Sequence, residues 1–126
     1  GNVNLLDGTV RSSEPAQTLV DTPLGLVEVG HGVPVAEGMP ISIAIRPEKI
    51  RISTQQPEGE LPNLFSARVM EIAYLGDVNT YIVQTDQGVR VKITDINARH
   101  QSEIGITWND LVYFWWHPQA GVALRN

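Results

Sequence analysis

The stretch ISIAIRPEKIRIS, residues 41–53, decides how this chain folds. Its apolar residues occupy odd positions before the Arg-Pro-Glu triplet and even positions after it: Ile41, Ile43 and Ile45, then Ile50 and Ile52. Successive side chains of a strand point to opposite faces, so one continuous strand cannot bury both sets on one side. Pro47 also lacks the backbone N–H that a paired strand needs. The stretch therefore predicts two short strands that meet at a corner.

The overall composition is that of an ordinary soluble domain, and it excludes several classes of protein. The 126 residues are enough for one compact domain with a core. Acidic residues outnumber basic ones by 14 to 9, which argues against a nucleic-acid binder because such proteins neutralise phosphates. The absence of cysteine excludes disulfides and thiolate metal sites. No apolar run approaches the roughly 20 residues of a membrane-spanning helix.

Short alternating runs of apolar and polar residues, separated by Gly, Pro, Asn and Asp, indicate an all-β fold. Strands are predicted at residues 5–11, 17–21, 25–29, 41–46, 50–53, 63–74, 79–85, 89–94, 110–116 and 122–124. The polar stretch 55–62 contains two prolines and a glycine and is predicted to be a linker. Only residues 95–103 have a weak helical pattern.

The chain also contains an internal repeat. Thr22-x-x-Gly25 and Thr85-x-x-Gly88 each follow an apolar pair and precede an alternating strand. The corner at Pro47 recurs within the later stretch DLVYFWWHPQAGVAL. The repeat predicts two similar β-units, residues 1–54 and 63–126, joined by the linker 55–62. We expect either two small OB-fold-like barrels or one intertwined pair, packed together because a unit of this size buries little surface alone.

No catalytic, cofactor-binding or metal-binding pattern stands out in the sequence. Both lysines, Lys49 and Lys92, precede Ile, so the phosphate-binding loop G-x-x-x-x-G-K-[ST] is absent. The histidines are not spaced as a set of metal ligands; they are His31, His100 and His117. We therefore predict that the chain is not itself an enzyme and holds neither a cofactor nor a metal.

The adjacent Trp115 and Trp116 point to opposite faces of one predicted strand. One of them is expected in the core, since aromatic side chains supply much of the buried area of small units. The other either packs between the units or is exposed. An exposed tryptophan near a carboxylate such as Glu71 would suit a cationic ligand through cation–π and ionic contacts. Trp115, Trp116 and Glu71 are therefore hypothetical ligand contacts.

Two loop motifs have both a structural and an interaction interpretation. Arg46 and Glu48 flank Pro47, where they either form a local ion pair that fixes the corner or contact a partner. Gly76 and Asp77 follow a predicted strand and form either a tight connection or an interaction loop.

Four stretches together resemble a known family: GNVNLLDGTV at the start, IAIRPEKIRIS in the middle, RVMEIAYLGDVNTYIV after the linker, and WNDLVYFWWHP near the end. In this order they resemble the TOBE region (transport-associated OB domain), the C-terminal half of ATP-binding subunits of bacterial ABC importers. IRPEKI and AYLGD in one chain are a fairly specific combination. IAYLGD and the NAR…TWND stretch are most similar to the spermidine/putrescine branch.

The resemblance implies a non-catalytic regulatory and dimerisation domain with OB-like barrels. The parent subunit would carry an ATPase domain, with its ATP and Mg²⁺, that this chain lacks. Implied partners are a second copy of the subunit and, through the parent, the permease subunits, on the cytoplasmic side of the bacterial inner membrane and without membrane insertion. The positions that match family motifs are structural or interface candidates: Arg46, Pro47, Glu48, Gly76 and Asp77.

Two other functions remain open at this point. The first is a small-ligand sensing module of another importer branch, which would hold a polyamine or an oxyanion in a groove between barrels. The second is an OB-type nucleic-acid binder, which needs a basic groove with exposed aromatics and is disfavoured by the net charge of −5.

Overall fold

The computed structural model of the chain describes residues 2–96 and 105–125, and ten strands lie within them. They are β1 (Asn4–Glu14), β2 (Gln17–Thr22), β3 (Gly25–Val29), β4 (Pro40–Ile45), β5 (Arg51–Ser53), β6 (Phe65–Leu75), β7 (Val78–Gln84), β8 (Arg90–Asp95), β9 (Leu111–Trp115) and β10 (Gly121–Leu124). Each corresponds to a predicted strand, with ends that differ by a few residues at most. The weak helical pattern at 95–103 lies largely outside the described residues.

The strands form two five-stranded antiparallel sheets with matching orders, β10-β4-β1-β2-β3 and β5-β9-β6-β7-β8. Each sheet takes four strands from one half of the chain and its fifth strand from the other half. The expected OB-fold-like barrels are therefore present as the intertwined pair. The unit boundaries at residues 54 and 63 stay a prediction, but each sheet needs a strand from beyond them.

The corners are the points where the chain passes from one sheet to the other. A 3-10 turn at Pro47–Lys49, the first corner, separates β4 from β5, and another at Pro118–Ala120, the second corner, separates β9 from β10. In the first, Lys49 N–H donates to the Arg46 carbonyl at 3.0 Å. In the second, Ala120 N–H donates to the His117 carbonyl at 2.8 Å. A proline suits the start of such a turn because its ring fixes φ and its missing donor is not needed there. The predicted corner is confirmed.

The core contains both sets of isoleucines from the opening stretch. The odd set on β4 and the even set beside β5 are buried, because the corner lets each set face inward from its own sheet: Ile41, Ile43, Ile45, Ile50 and Ile52. Near the second corner, three aromatic rings pack with centroids 5.6–6.4 Å apart: Phe65, Phe114 and Trp116. Trp116 is the core tryptophan of the adjacent pair, at 1% exposure.

Two asparagines in equivalent places tie the sheets together. Asn63, just before β6, accepts from Glu28 N–H on β3 at 2.8 Å and donates to the Glu28 carbonyl at 3.0 Å. Asn4, at the start of β1, accepts from Lys92 N–H on β8 at 2.8 Å and donates to the Lys92 carbonyl at 2.9 Å. Each side-chain amide thus makes one donated and one accepted hydrogen bond to the edge strand of the opposite sheet, as a peptide group of a neighbouring strand would. We call these two side chains the amide clamps.

Gly8 leaves no room for a side chain between β1 and β2. A Cβ atom at this position would lie 2.5 Å from the Asp21 carbonyl oxygen and 2.7 Å from Val20 Cγ1. We expect Gly8→Ala to lower the free energy of unfolding by about 1–3 kcal/mol, because backbone would have to shift to make room. Urea denaturation measures the change. Gly121→Ala is the matched control, since its Cβ would meet a side-chain atom, the Cγ2 methyl of Ile43, at 3.3 Å and not backbone; equal losses in the two variants would contradict the prediction.

Candidate interaction surface at the corners

The first predicted loop motif lines an open groove on the surface, and the strand that follows the second motif reaches the same groove. This groove, which we call the corner groove, has a volume of about 910 Å³. It lies between the first corner, β10, the N-terminal residues and the adjoining ends of β7 and β8. The first corner lines it directly with Arg46, Pro47 and Glu48. Val78, the first residue of the strand after the Gly76-Asp77 turn, also lines it. Positions far apart in sequence are thus placed beside each other.

The charged residues of the first corner stay open to solvent. Pro47 is buried, whereas Arg46, Glu48 and Lys49 are exposed at the rim of the corner groove. Within residues 2–96 and 105–125, Arg46 and Glu48 form no ion pair with each other. The predicted local ion pair is wrong, and the backbone turn itself fixes the bend. The charges of Arg46 and Glu48 therefore remain available to a partner.

Gly76 and Asp77 form a two-residue hairpin turn between β6 and β7, with Leu75 paired to Val78. Gly76 has φ of +77° at the first central position, which a type II′ turn requires and which glycine adopts without strain. The hairpin tip, residues 74–77, presents Tyr74 and Leu75 at 64% exposure each.

An apolar strip forms the floor beside the first corner. Leu5, Ala44 and Val122 lie side by side across β1, β4 and β10, on the outward face of that sheet. Leu5 and Val122 are exposed, and Val3 and Ile96 continue the apolar surface around the groove. Sequence reasoning missed this strip. The sequence contained one signal for it. The short β10 segment Gly-Val-Ala-Leu is non-polar on both faces, so when one face packs inward the other turns an apolar surface outward.

The hypothetical ligand contacts are not brought together. Trp115 is half-buried on the wall of a second groove of about 620 Å³, next to Arg51, whereas Trp116 is buried. Glu71 lies on β6, whose start pairs with β9, and it forms an exposed ion pair with Arg90 at 3.3 Å. At the usual rise of a strand, Glu71 is about 20 Å from the Trp115 end of β9. Of the two tryptophans, Trp115 is the one with a solvent-accessible surface that a ligand can contact.

Residues 2–96 and 105–125 contain no group of three His, Asp or Glu side chains placed to hold a metal ion. Burial raises the pKa of the Tyr81 phenol above its usual range, so this side chain is neutral at physiological pH. It lies in the barrel interior, where Asn79 Nδ2 donates to its oxygen at 3.3 Å, and not in the groove.

Across the described ranges, no helix has the length and apolar character to cross a membrane.

Protein families and curated proteins that resemble this chain were found by comparison. The family model described as TOBE domain matches residues 43–124. The putrescine transport ATP-binding protein PotG of Escherichia coli (strain K12) is 32% identical over 128 residues, which cover 98% of this chain and 33% of that protein. The spermidine/putrescine import ATP-binding protein PotA of Nitrosospira multiformis is 32% identical over 130 residues, covering 100% of this chain and 35% of that protein.

A third relative, the spermidine/putrescine import ATP-binding protein PotA of Thermotoga maritima, is 33% identical over 121 residues and covers 94% of this chain and 33% of that protein. The chain thus spans about a third of the length of these curated relatives. Among solved structures, the cytoplasmic molybdate-binding protein ModG superposes with a TM-score of 0.88 at 12% identity. The match covers 98% of this chain and 96% of that chain, and at this identity it shows the shared fold alone.

Proposed function

This chain belongs to the TOBE domain family, and from that premise we propose that it is the non-catalytic regulatory and dimerisation domain of the ATP-binding subunit of a bacterial ABC importer, for spermidine or putrescine. The observation that carries the proposal is the corner groove, an exposed surface that the family motif at Arg46, Pro47 and Glu48 lines and that Val78, next to the Gly76-Asp77 turn, also reaches. A TOBE domain is not the catalytic ATPase domain; ATP and Mg²⁺ would bind in the rest of the parent protein.

A domain of this kind acts by setting the geometry of the subunits that carry it. An effector would influence ATP hydrolysis only through a difference in affinity between two arrangements of the pair. The exposed charges of Arg46 and Glu48 and the exposed apolar side chains of the groove support a protein partner rather than a catalytic role. The proposed partners are a second copy of the subunit and, through the parent, the permease subunits. The proposed place is the cytoplasmic face of the inner membrane, peripherally bound.

A small-ligand sensing role is the second candidate, and the second groove favours it. Half-buried Trp115 lines this groove together with Lys49, Arg51 and Glu48, so an aromatic surface lies beside charges of both signs. Such a wall would suit a polyamine through Trp115 and Glu48, or an oxyanion through the two cations. The groove has a size typical of small-molecule sites.

Light scattering of the isolated chain over a wide concentration range tests the proposal. We expect twice the mass of one chain, unchanged by added putrescine or spermidine. A monomer at every concentration would contradict the dimerisation role. A mass that changes on adding a polyamine, or on adding molybdate, would favour the sensing role instead. Trp115→Ala is the matched variant, because it should abolish only a ligand-dependent change.

A further inference from the structure

The hairpin tip has an exposed apolar and acidic surface. Tyr74 and Leu75 are among the most exposed large apolar side chains of the described residues, and Asp77 is exposed at the turn. The two-residue turn, with Gly76 in a conformation that glycine adopts freely, sets the backbone path that carries these side chains at the end of the hairpin.

The corner groove has the complementary character. Its floor includes Ala44 and Val122, and its rim carries the cations Arg46 and Lys49. Glu48 is the acidic residue among the described residues that line it, so the rim has a net positive charge although the whole chain is negative. An apolar segment that ends in a carboxylate fits this surface better than a basic segment does.

We propose that the hairpin tip of one copy docks into the corner groove of a second copy, so that two identical contacts hold the dimer. The inference rests on the proposed dimerisation role and names the surface that performs it. Leu75, which lies on the same face of the hairpin as Val78, covers the apolar floor, and Asp77 approaches Arg46 or Lys49 on the rim.

The position of the tip allows both contacts to form at once. Leu75 pairs with Val78, and Val78 lines the groove of the same copy, so tip and groove are neighbouring patches. In a two-fold dimer every contact occurs twice: if the tip of the first copy contacts the groove of the second, the tip of the second copy contacts the groove of the first. Neighbouring complementary patches can therefore meet twice around one axis, and the arrangement closes as a dimer instead of extending as a filament.

Charge reversal gives a sharp test because the contact is reciprocal. Asp77→Arg alone and Arg46→Asp alone each place like charges at both contacts, so we expect the dimer dissociation constant to rise by about tenfold or more in each. An equimolar mixture of the two variants places opposite charges at both contacts of the mixed dimer. The double variant does the same within one chain. We expect both to recover most of the wild-type affinity, measured by sedimentation velocity.

The controls separate this contact from general effects of charge. Asp86→Arg, in the exposed turn between β7 and β8, and Arg125→Asp, near the C-terminus, change the net charge equally but lie outside tip and groove. They should leave the dissociation constant unchanged. Leu75→Ser tests the apolar part without a change of charge and should weaken the dimer by about tenfold or more. Far-UV circular dichroism confirms that each variant is folded.

Each outcome decides the inference. A wild-type dimer that Asp77→Arg and Leu75→Ser leave intact overturns the docking contact but not the dimerisation role. A wild-type monomer overturns both. An assembly larger than a dimer overturns the two-fold arrangement, and weakening without rescue in the mixture shows that the groove receives something other than the tip.

Discussion

Asn63→Ala is expected to lower the free energy of unfolding by about 3–5 kcal/mol, a large part of the stability of a domain of this size. The side chain is 5% exposed and makes three hydrogen bonds: two with the backbone of Glu28 and one from Nδ2 to the Trp116 carbonyl at 3.3 Å. Its loss leaves backbone groups of both sheets without partners in a place that water reaches poorly. Denaturation in urea, followed by tryptophan fluorescence, measures the change.

The chain offers a control that separates the two roles of this asparagine. Asn63 has φ of +56° and Asn109 has φ of +67°, so alanine is strained by about 1 kcal/mol at either position. Asn109 is exposed, and its side chain makes no hydrogen bond within residues 2–96 and 105–125. Asn109→Ala should therefore lose about 1 kcal/mol. Asn63→Gly keeps the backbone conformation and isolates the clamp. A loss for Asn63→Ala no greater than for Asn109→Ala would contradict the role of the clamp.

The strands and the corner were predictable from local pattern alone. Side chains alternate with a period of two along a strand, so the change of parity between Ile45 and Ile50 requires a bend wherever both are buried. Pro47 marks the same place independently, through its fixed φ and missing donor. Both signals are local and need no knowledge of the partner strand, which is why the structure reproduces them closely.

The exchange of strands between the halves could not be read from the sequence. Because the halves are similar, β5 could complete the sheet of either half with the same pattern of apolar residues. Tertiary packing makes the choice: β5 pairs with β9 and β10 pairs with β4. The amide clamps were missed as well, although Asn-Leu at residues 4–5 and again at 63–64 was a visible repeat.

The candidate surface was predicted only in part. The motif residues of the two loops were identified, but the groove that the first corner shares with Val78 depends on the barrel closing β8 against that corner, which no local pattern reports. The predicted ion pair between Arg46 and Glu48 was wrong. Exposed side chains of opposite charge gain little from pairing, so closeness in sequence does not by itself hold them in contact. The sequence shows that Leu5 and Val122 are apolar, but it does not show that they lie on either side of Ala44 in one sheet.

Cutting the chain in the loop before β6 should show how strongly the exchanged strands couple the two halves. We expect neither residues 1–58 nor residues 59–126 to fold alone as a monomer. The first fragment lacks β10, which covers the edge of β4, and it leaves β5 without the strand that it pairs with. The second lacks β5 and therefore exposes the edge of β9. Neither fragment can form either amide clamp, because both clamps join the two halves, and each loses half of the shared core, so little drives its folding.

Mixing the fragments should restore the fold, and fluorescence can follow it directly. Trp108, Trp115 and Trp116 all belong to the second fragment, so emission reports on its folding while the first fragment stays silent. We expect a blue shift on mixing at equal concentrations as Trp116 becomes buried, together with the mass of one intact chain. The intact protein nicked at the same exposed loop is the control, and it should keep its native spectrum. A folded monomer of either fragment would contradict the coupling, because it would mean that a sheet is stable without the strand that the other half supplies.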